Sequence, residues 1–239
     1  MINRILSISY LAFMGISSVV LFVIAVAIWL LTVLFDKRLY ILHFFTSAWA
    51  SLYIWIMPAW SISIQGKENI RKKTYIVVSN HQSLLDILVA FRIFFHFKWV
   101  SKSEIFNIPF IGWNMRLNRY IRLVRGDKSS SRLMFDACNK EIARGSSIYL
   151  FPEGSRSDTG RLKPFKPGAF LLAKENMLPI LPIVITGTKN ILPKYKLVFQ
   201  GIHKIKVKIL NEISYDTFKD LTAEKTGEMV RENILKNIG

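Results

Sequence analysis

The chain has 239 residues, 51% of them apolar, and still carries a net charge of +17. That length leaves room for one large domain or two small ones. The single cysteine, Cys138, excludes an intrachain disulfide and a cysteine-based zinc site, and fits a reducing compartment. Apolar and charged residues are separated along the chain: residues 1–70 hold four basic and two acidic side chains, and 71–239 hold 29 and 14. A basic globular part suggests a polyanionic partner: nucleic acid, an anionic membrane surface or phosphorylated substrates; joined to an apolar N-terminus, it favours the membrane over nucleic acid.

Between Arg4 and Asp36 there is no charged residue, and Val19–Leu34 is nearly all apolar. As a helix this stretch is ample to cross a ~30 Å hydrocarbon core, which takes about 20 residues. After Asp36-Lys37-Arg38, a second uncharged stretch runs from Leu39 to Gly66, with Trp49, Trp55 and Trp60 placed as interface anchors. It reads either as a second span or as a helix lying in the membrane surface. Ala48-Trp49-Ala50 resembles a signal-peptide cleavage site. However, the apolar run is far longer than the usual ~7–15 residues and only Arg4 precedes it, which favours a retained anchor. Lys37, Arg38 and the basic part beyond favour the cytoplasmic face for that part. The expected organisation is a two-helix membrane-associated region at 1–66 and a separate domain at 67–239.

From Arg71 onward strands and helices alternate. Tyr75–Val78 is a β-branched apolar run, and a helix follows from Leu84, with the Ser83 hydroxyl offered as N-cap. Lys98–Val100 and Tyr120–Val124 read as strands, with the loop Lys102–Trp113 between them. Ser129–Arg144 has helical spacing and stops at Gly145, Ser147–Phe151 is a buried strand, Pro167–Leu178 a short helix and Leu181–Thr186 a strand. Lys204–Leu210 alternates lysine with apolar residues, as an edge strand with one wet face does, and Thr222–Ile238 is an amphipathic helix. This alternation predicts an α/β fold: a mixed, largely parallel sheet flanked by helices. In such sheets functional groups collect at the carboxyl ends of strands.

Three chemically loaded segments follow strands directly. In Asn80–Asp86 (NHQSLLD), His81 sits in the turn and Asp86 in the first turn of the helix. A loop imidazole can fold back so that one nitrogen meets the carboxylate, which fixes the tautomer and leaves the other nitrogen to take a proton from a substrate hydroxyl. The same pair also fits a helix-start carboxylate beside a turn histidine. In Arg119–Asp127, Arg122 and Arg125 offer guanidinium forks for phosphate, with Arg125, at the strand end, the better placed. In Phe151–Ser157 (FPEGSRS), Gly154 permits a positive φ, the backbone amides can cradle an anion, Ser155 and Arg156 add donors, and Glu153 can hold an arginine or a substrate hydroxyl. Lys102 is a further cation candidate. His43, His81, His96 and His203 are scattered, with no metal-ligand spacing among them.

These blocks resemble those of the glycerolipid acyltransferases, most closely the 1-acylglycerol-3-phosphate acyltransferases. NHQSLLD (80–86) looks like the family's Asn-His-x4-Asp motif, YIRLVR (120–125) like its arginine-ending second block, FPEGSRS (151–157) like its Phe-Pro-Glu-Gly string and LPILPI (178–183) like its proline-centred fourth block. One departure is Arg119, near the place where the second block usually opens with glycine. The resemblance implies transfer of a fatty acyl chain from an acyl carrier protein or coenzyme A thioester to the hydroxyl of lysophosphatidic acid (1-acylglycerol 3-phosphate), giving phosphatidic acid for phospholipid biosynthesis. His81 would be the base and Asp86 its orienter. Arg125 and Glu153, Gly154, Ser155 and Arg156 would contact the phosphate-bearing acceptor, Lys102 would be a second phosphate contact, and Pro182 would belong to an apolar wall. No metal or cofactor is implied. Another lysolipid, glycerol 3-phosphate, or a non-catalytic membrane module binding anionic lipid remain as alternatives.

Overall fold

The computed structural model describes residues 2–157, 161–192, 198–199 and 201–238. Two helices open the chain, α1 (Ile2–Thr32) and α2 (Tyr40–Trp55). Strand β1 (Trp60–Gln65) follows, then β2 (Ile76–Ser79), α3 (Leu85–Phe91), β3 (Phe97–Lys102) and α4 (Ile111–Leu117). The order continues with β4 (Ile121–Leu123), α5 (Lys128–Ala143), β5 (Ser147–Leu150), α6 (Gly168–Glu175) and β6 (Ile180–Thr186). It ends with α7 (Thr188–Ile191), β7 (His203–Ile209), α8 (Tyr215–Phe218) and α9 (Ala223–Lys236).

The strands form one seven-stranded sheet in the order β1-β7-β6-β2-β5-β3-β4. Only the β6–β7 pairing is antiparallel, so the sheet is mixed and largely parallel as expected. Its central strands are short β-branched runs buried on both faces: Ile76–Ser79, Ser147–Leu150 and the first six residues of β6 are all inaccessible. Such runs belong where helices cover both sides of a parallel sheet. One core, with Tyr75, Val77, Phe97, Trp99 and Tyr149, faces α2 and α3. The other, with Ile76, Val78, Ile148, Phe170 and Val230, lies under α5, α6 and α9.

Two expectations change here. Lys204–Leu210 is not an edge strand: β1 pairs with it in parallel register, Trp60 opposite His203 through Gln65 opposite Lys208, and β1 is the edge. The sheet therefore takes in Trp60–Gln65, ahead of the boundary expected at residue 66. Its alternating Trp-Ser-Ile-Ser-Ile-Gln pattern is uncharged, so it blends into the apolar stretch before it, yet it has the period-two pattern of a half-buried strand. The lysines of β7 stay exposed because they share one face of the strand.

Helix α1, at 1.5 Å per residue, is about 45 Å long. It is the one helix among the described residues long and apolar enough to cross a membrane, with Ile16, Val20, Val23 and Leu31 exposed. Its inner face is not greasy throughout. The buried Tyr53 hydroxyl of α2 lies 3.0 Å from both Ser17 Oγ and Ser18 Oγ, donates to Met14 O at 3.1 Å, and accepts Trp49 Nε1–H at 2.8 Å. α2 is too short to span and buries one face, including Leu42, Thr46, Trp49 and Tyr53.

Candidate active site

Strand β2 ends at Ser79, and Asn80 then acts as a substitute strand residue. Its Nδ2–H donates to Ile185 O at 2.7 Å and its Oδ1 accepts Ile185 N–H at 2.8 Å. The start of the turn is thus clamped to β6, and His81 comes next.

His81 Nδ1 lies 2.9 Å from Asp86 Oδ2. The same oxygen accepts the backbone N–H groups of Gln82 at 2.6 Å and Ser83 at 2.8 Å. The other oxygen, Oδ1, accepts the Thr188 hydroxyl at 2.5 Å. Four donors hold a carboxylate that is fully buried, so it cannot rotate away. A carboxylate only accepts, so Nδ1 carries a proton, and in the neutral imidazole the lone pair is on Nε2. Nε2 has no hydrogen-bond partner among the described residues, and the His81 side chain is 9% exposed. The imidazole also lies flat on Phe151, ring centroids 3.9 Å apart at 12°, and Phe151 stacks on Trp99. Ser83 helps less as a cap than expected. Its oxygen accepts Leu85 N–H at 3.3 Å, while its hydroxyl donates to Leu192 O at 2.8 Å.

The segment after β5 is stitched to the same residue. Glu153 Oε1 accepts His81 N–H at 2.7 Å, and Ser157 N–H donates to His81 O at 3.0 Å. Glu153 Oε2 accepts Lys163 N–H at 2.9 Å. Both carboxylate oxygens thus brace backbone, and burial pushes this carboxyl above the usual range even though its hydrogen bonds pull the other way. Gly154 has φ +69°, and a Cβ there would stand 3.0 Å from Lys166 Cε. Lys163 Nζ donates to Ser155 Oγ at 3.0 Å and to Arg156 O at 2.9 Å, which lays a cation beneath the loop.

Arg125 follows the end of β4 and is exposed. Partial burial lowers its pKa, Glu104 opposes that shift and the like charge of Arg156 adds to it, which puts the two arginines within electrostatic reach of each other. Lys102, at the end of β3, pairs with Glu104 Oε1 at 2.5 Å and holds that carboxyl down to about 2. Arg122 is exposed on β4 itself.

Thr188, His81, Glu153–Arg156, Lys102 and Arg125 follow or end β6, β2, β5, β3 and β4, which are neighbours in that order. The convergence at strand carboxyl ends is what a parallel sheet provides. Thr188, Phe151 and Lys163 were not assigned roles from the sequence. Phe151 opens the FPEGSRS string, whereas Thr188 sits beyond the fourth block, marked only by Gly187 at φ +90°. Among the described residues no three His, Cys, Asp or Glu side chains gather as a metal-binding group.

A family model described as Acyltransferase matches residues 61–186, more than half of the chain. A chloroplastic 1-acyl-sn-glycerol-3-phosphate acyltransferase of Brassica napus is 34% identical over 235 residues, covering 97% of this chain and 67% of its own length. The corresponding chloroplastic enzyme of Arabidopsis thaliana is 37% identical, covering 80% of this chain and 54% of itself. That of Saccharomyces cerevisiae is 37% identical, covering 77% and 63%. The chain thus spans about half to two thirds of the length of these curated relatives. In structure it resembles the crystal structure of the 1-acyl-sn-glycerophosphate acyltransferase PlsC of Thermotoga maritima, with TM-score 0.79 over 99% of this chain and 96% of that one, at 22% identity.

Proposed function

The chain belongs to the acyltransferase family, and we propose that it moves a fatty acyl group from an acyl thioester to the free hydroxyl of 1-acylglycerol 3-phosphate, making phosphatidic acid. The observation that carries this reading is a fixed base: His81 Nδ1 rests on Asp86, Nε2 is open among the described residues, and Arg125 and Arg156 follow strand ends on the same side of the sheet.

Nε2 takes the proton from the acceptor hydroxyl as its oxygen attacks the thioester carbonyl carbon. Positive charge then forms on the imidazole beside the Asp86 carboxylate, which stabilises it, and the stacked Phe151 keeps the ring in plane. The tetrahedral intermediate collapses, the carbon–sulfur bond breaks, and the leaving thiolate takes the proton back from His81. Acyl carrier protein or coenzyme A is the thiol carrier, a co-substrate rather than a cofactor. Arg125 and Arg156 receive the acceptor phosphate, whose two charges suit two forks. Lys102 joins them when its pairing with Glu104 is exchanged for phosphate. Glu153, Gly154 and Ser155 shape the loop that presents Arg156, and Glu153 acts on the acceptor through the position of His81.

Residues 1–66 form the membrane-associated part and 67–239 the catalytic part, except that β1 is lent to the sheet. With Lys37 and Arg38 at the end of α1, the site lies on the cytoplasmic face. Catalysis is tested by thiol release from acyl carrier protein and coenzyme A thioesters, with and without 1-acylglycerol 3-phosphate. Acceptor-dependent release that His81→Ala abolishes supports the reaction and identifies the donor. Release with lysophospholipids lacking the phosphate monoester, and not with this acceptor, would transfer the reading to another lysolipid.

A further inference from the structure

A cleft lies away from His81. It lies at the opposite end of the sheet, where the chain enters β2, β3 and β5, and measures about 570 Å³. Arg38, Arg71, Lys72 and Lys73 line it, with Tyr40 and Phe94 among its aromatic walls. Two carboxylates lie near. Glu212 pairs with Lys73 at 2.6 Å, and Asp36 is engaged by the Ile41 backbone N–H at 2.8 Å. Arg71 lies within electrostatic reach of Glu212 without an ion pair, and among the described residues no carboxylate pairs with Arg38 or Lys72. Among the described residues the Arg38 guanidinium makes a 3.5 Å contact with His96 Nδ1, on a ring that burial keeps neutral by lowering its pKa to about 3.

The position of this cleft along the chain says what the cations meet. Helix α1 leaves its apolar run at Thr32, and the turn beyond exposes Leu34 to 89% and Phe35 to 68%. Lys37, Arg38 and Tyr40 follow within a few residues. With α1 associated with the membrane, its exposed apolar tip brings this turn to the level of the headgroups, with Leu34 and Phe35 in the acyl boundary and the cleft facing phosphate. A soluble anion would use the cations but leave the apolar tip and the aromatic walls without a partner. We infer that this cleft is a second lipid site, which holds the phosphate of an anionic phospholipid between Arg38 and Arg71 with its glycerol and first methylenes against Tyr40 and Phe94. It is separate from the acceptor site, since Arg125 and Arg156 follow the carboxyl ends of β4 and β5. The lipid is a resident neighbour, neither substrate nor product.

The test counts retained lipid on the detergent-released full chain by native mass spectrometry. Short-chain phosphatidylglycerol, phosphatidylcholine and inorganic phosphate are titrated in turn. The wild type should retain phosphatidylglycerol in preference to phosphatidylcholine. Arg38→Gln with Arg71→Gln should weaken that binding by ~10-fold or more, since two charge-assisted bonds are lost. Arg38→Lys with Arg71→Lys should restore part of it, and Arg125→Gln with Arg156→Gln should leave it unchanged. Unaltered thiol release by the Arg38/Arg71 variant shows that it is folded. Equal retention by the wild type and that variant, or loss only in the Arg125/Arg156 variant, overturns the site. Inorganic phosphate that displaces phosphatidylglycerol at equal concentration overturns the lipid as its occupant.

Discussion

The two ends of the sheet solve different problems with similar residues. At the carboxyl end, Asp86 is held by its near neighbours Gln82, Ser83 and His81 and, across 102 residues, by Thr188, while Lys163 donates to the Arg156 backbone carbonyl. At the amino end the ties run to the turn after α1. Lys98, fully buried, donates to Arg38 O and Asn118 O at 2.8 Å each. His96 Nε2 shares the Arg38 carbonyl at 3.0 Å, and Arg119 donates to Lys37 O. His43 and His96, which look scattered in the sequence, stand 5.0 Å apart between rings, and His43 also meets Tyr120 at 2.9 Å. The carboxyl end poises one nitrogen for chemistry. The amino end clasps the N-terminal hairpin onto the α/β domain. Buried ionisable groups therefore do not all mark catalysis, and what separates the two sets is an open lone pair in a cleft.

That contrast breaks most visibly at His81. His81→Ala should lower turnover by about 10²–10⁴-fold, the worth of general-base catalysis, with the fold intact by circular dichroism. Asp86→Asn should cost less in turnover but more in stability, by about 1.5–3 kcal/mol, because a buried charge-assisted network is weakened. Thr188→Val sharpens the same point. It removes one of the four donors, and a fall of roughly 10-fold in kcat with KM unchanged would mark it as a positioning residue. Arg125→Ala and Arg156→Ala should each raise KM for a phosphate-bearing acceptor by ~10-fold and leave kcat within a few-fold.

At the amino end the expected effect is on stability rather than on turnover. Burial lowers the Lys98 pKa to about 7, well under its usual value. Between about pH 7 and pH 10 the unfolded chain holds a proton that the folded chain has released, so stability rises with pH across that window. The slope is at most about 1.4 kcal/mol per pH unit. Lys98→Met should remove this slope in denaturant titrations at pH 7, 8.5 and 9.5 while thiol release stays near wild type. Loss of activity without loss of stability would mean that the two ends are coupled.

Much of the carboxyl end was legible because its marking residues lie close together in sequence. His81 and Asp86 lie five residues apart across a strand–helix turn, and FPEGSRS follows a strand that is plainly buried. Thr188 was not legible, because its partner lies 102 residues away and a threonine after glycine carries no signal of its own. The bracing contacts of Glu153 were not legible for a related reason. Both its oxygens are taken by backbone amides of His81 and Lys163, and only the folded chain brings those amides together.

By itself the sequence determined the alternation of strands and helices, the apolar α1, and the residue types that gather after β2, β4 and β5. Periodicity and composition act over a few residues, so they survive in one dimension. Only the tertiary structure decided that Trp60–Gln65 is a strand beside β7, that Asn80 ties the His81 turn to β6, and that Lys98 and His96 hold the Arg38 carbonyl. Each of these joins groups more than 50 residues apart. Pairing at that separation depends on which surfaces remain to be buried once the sheet has formed, and no local pattern records it.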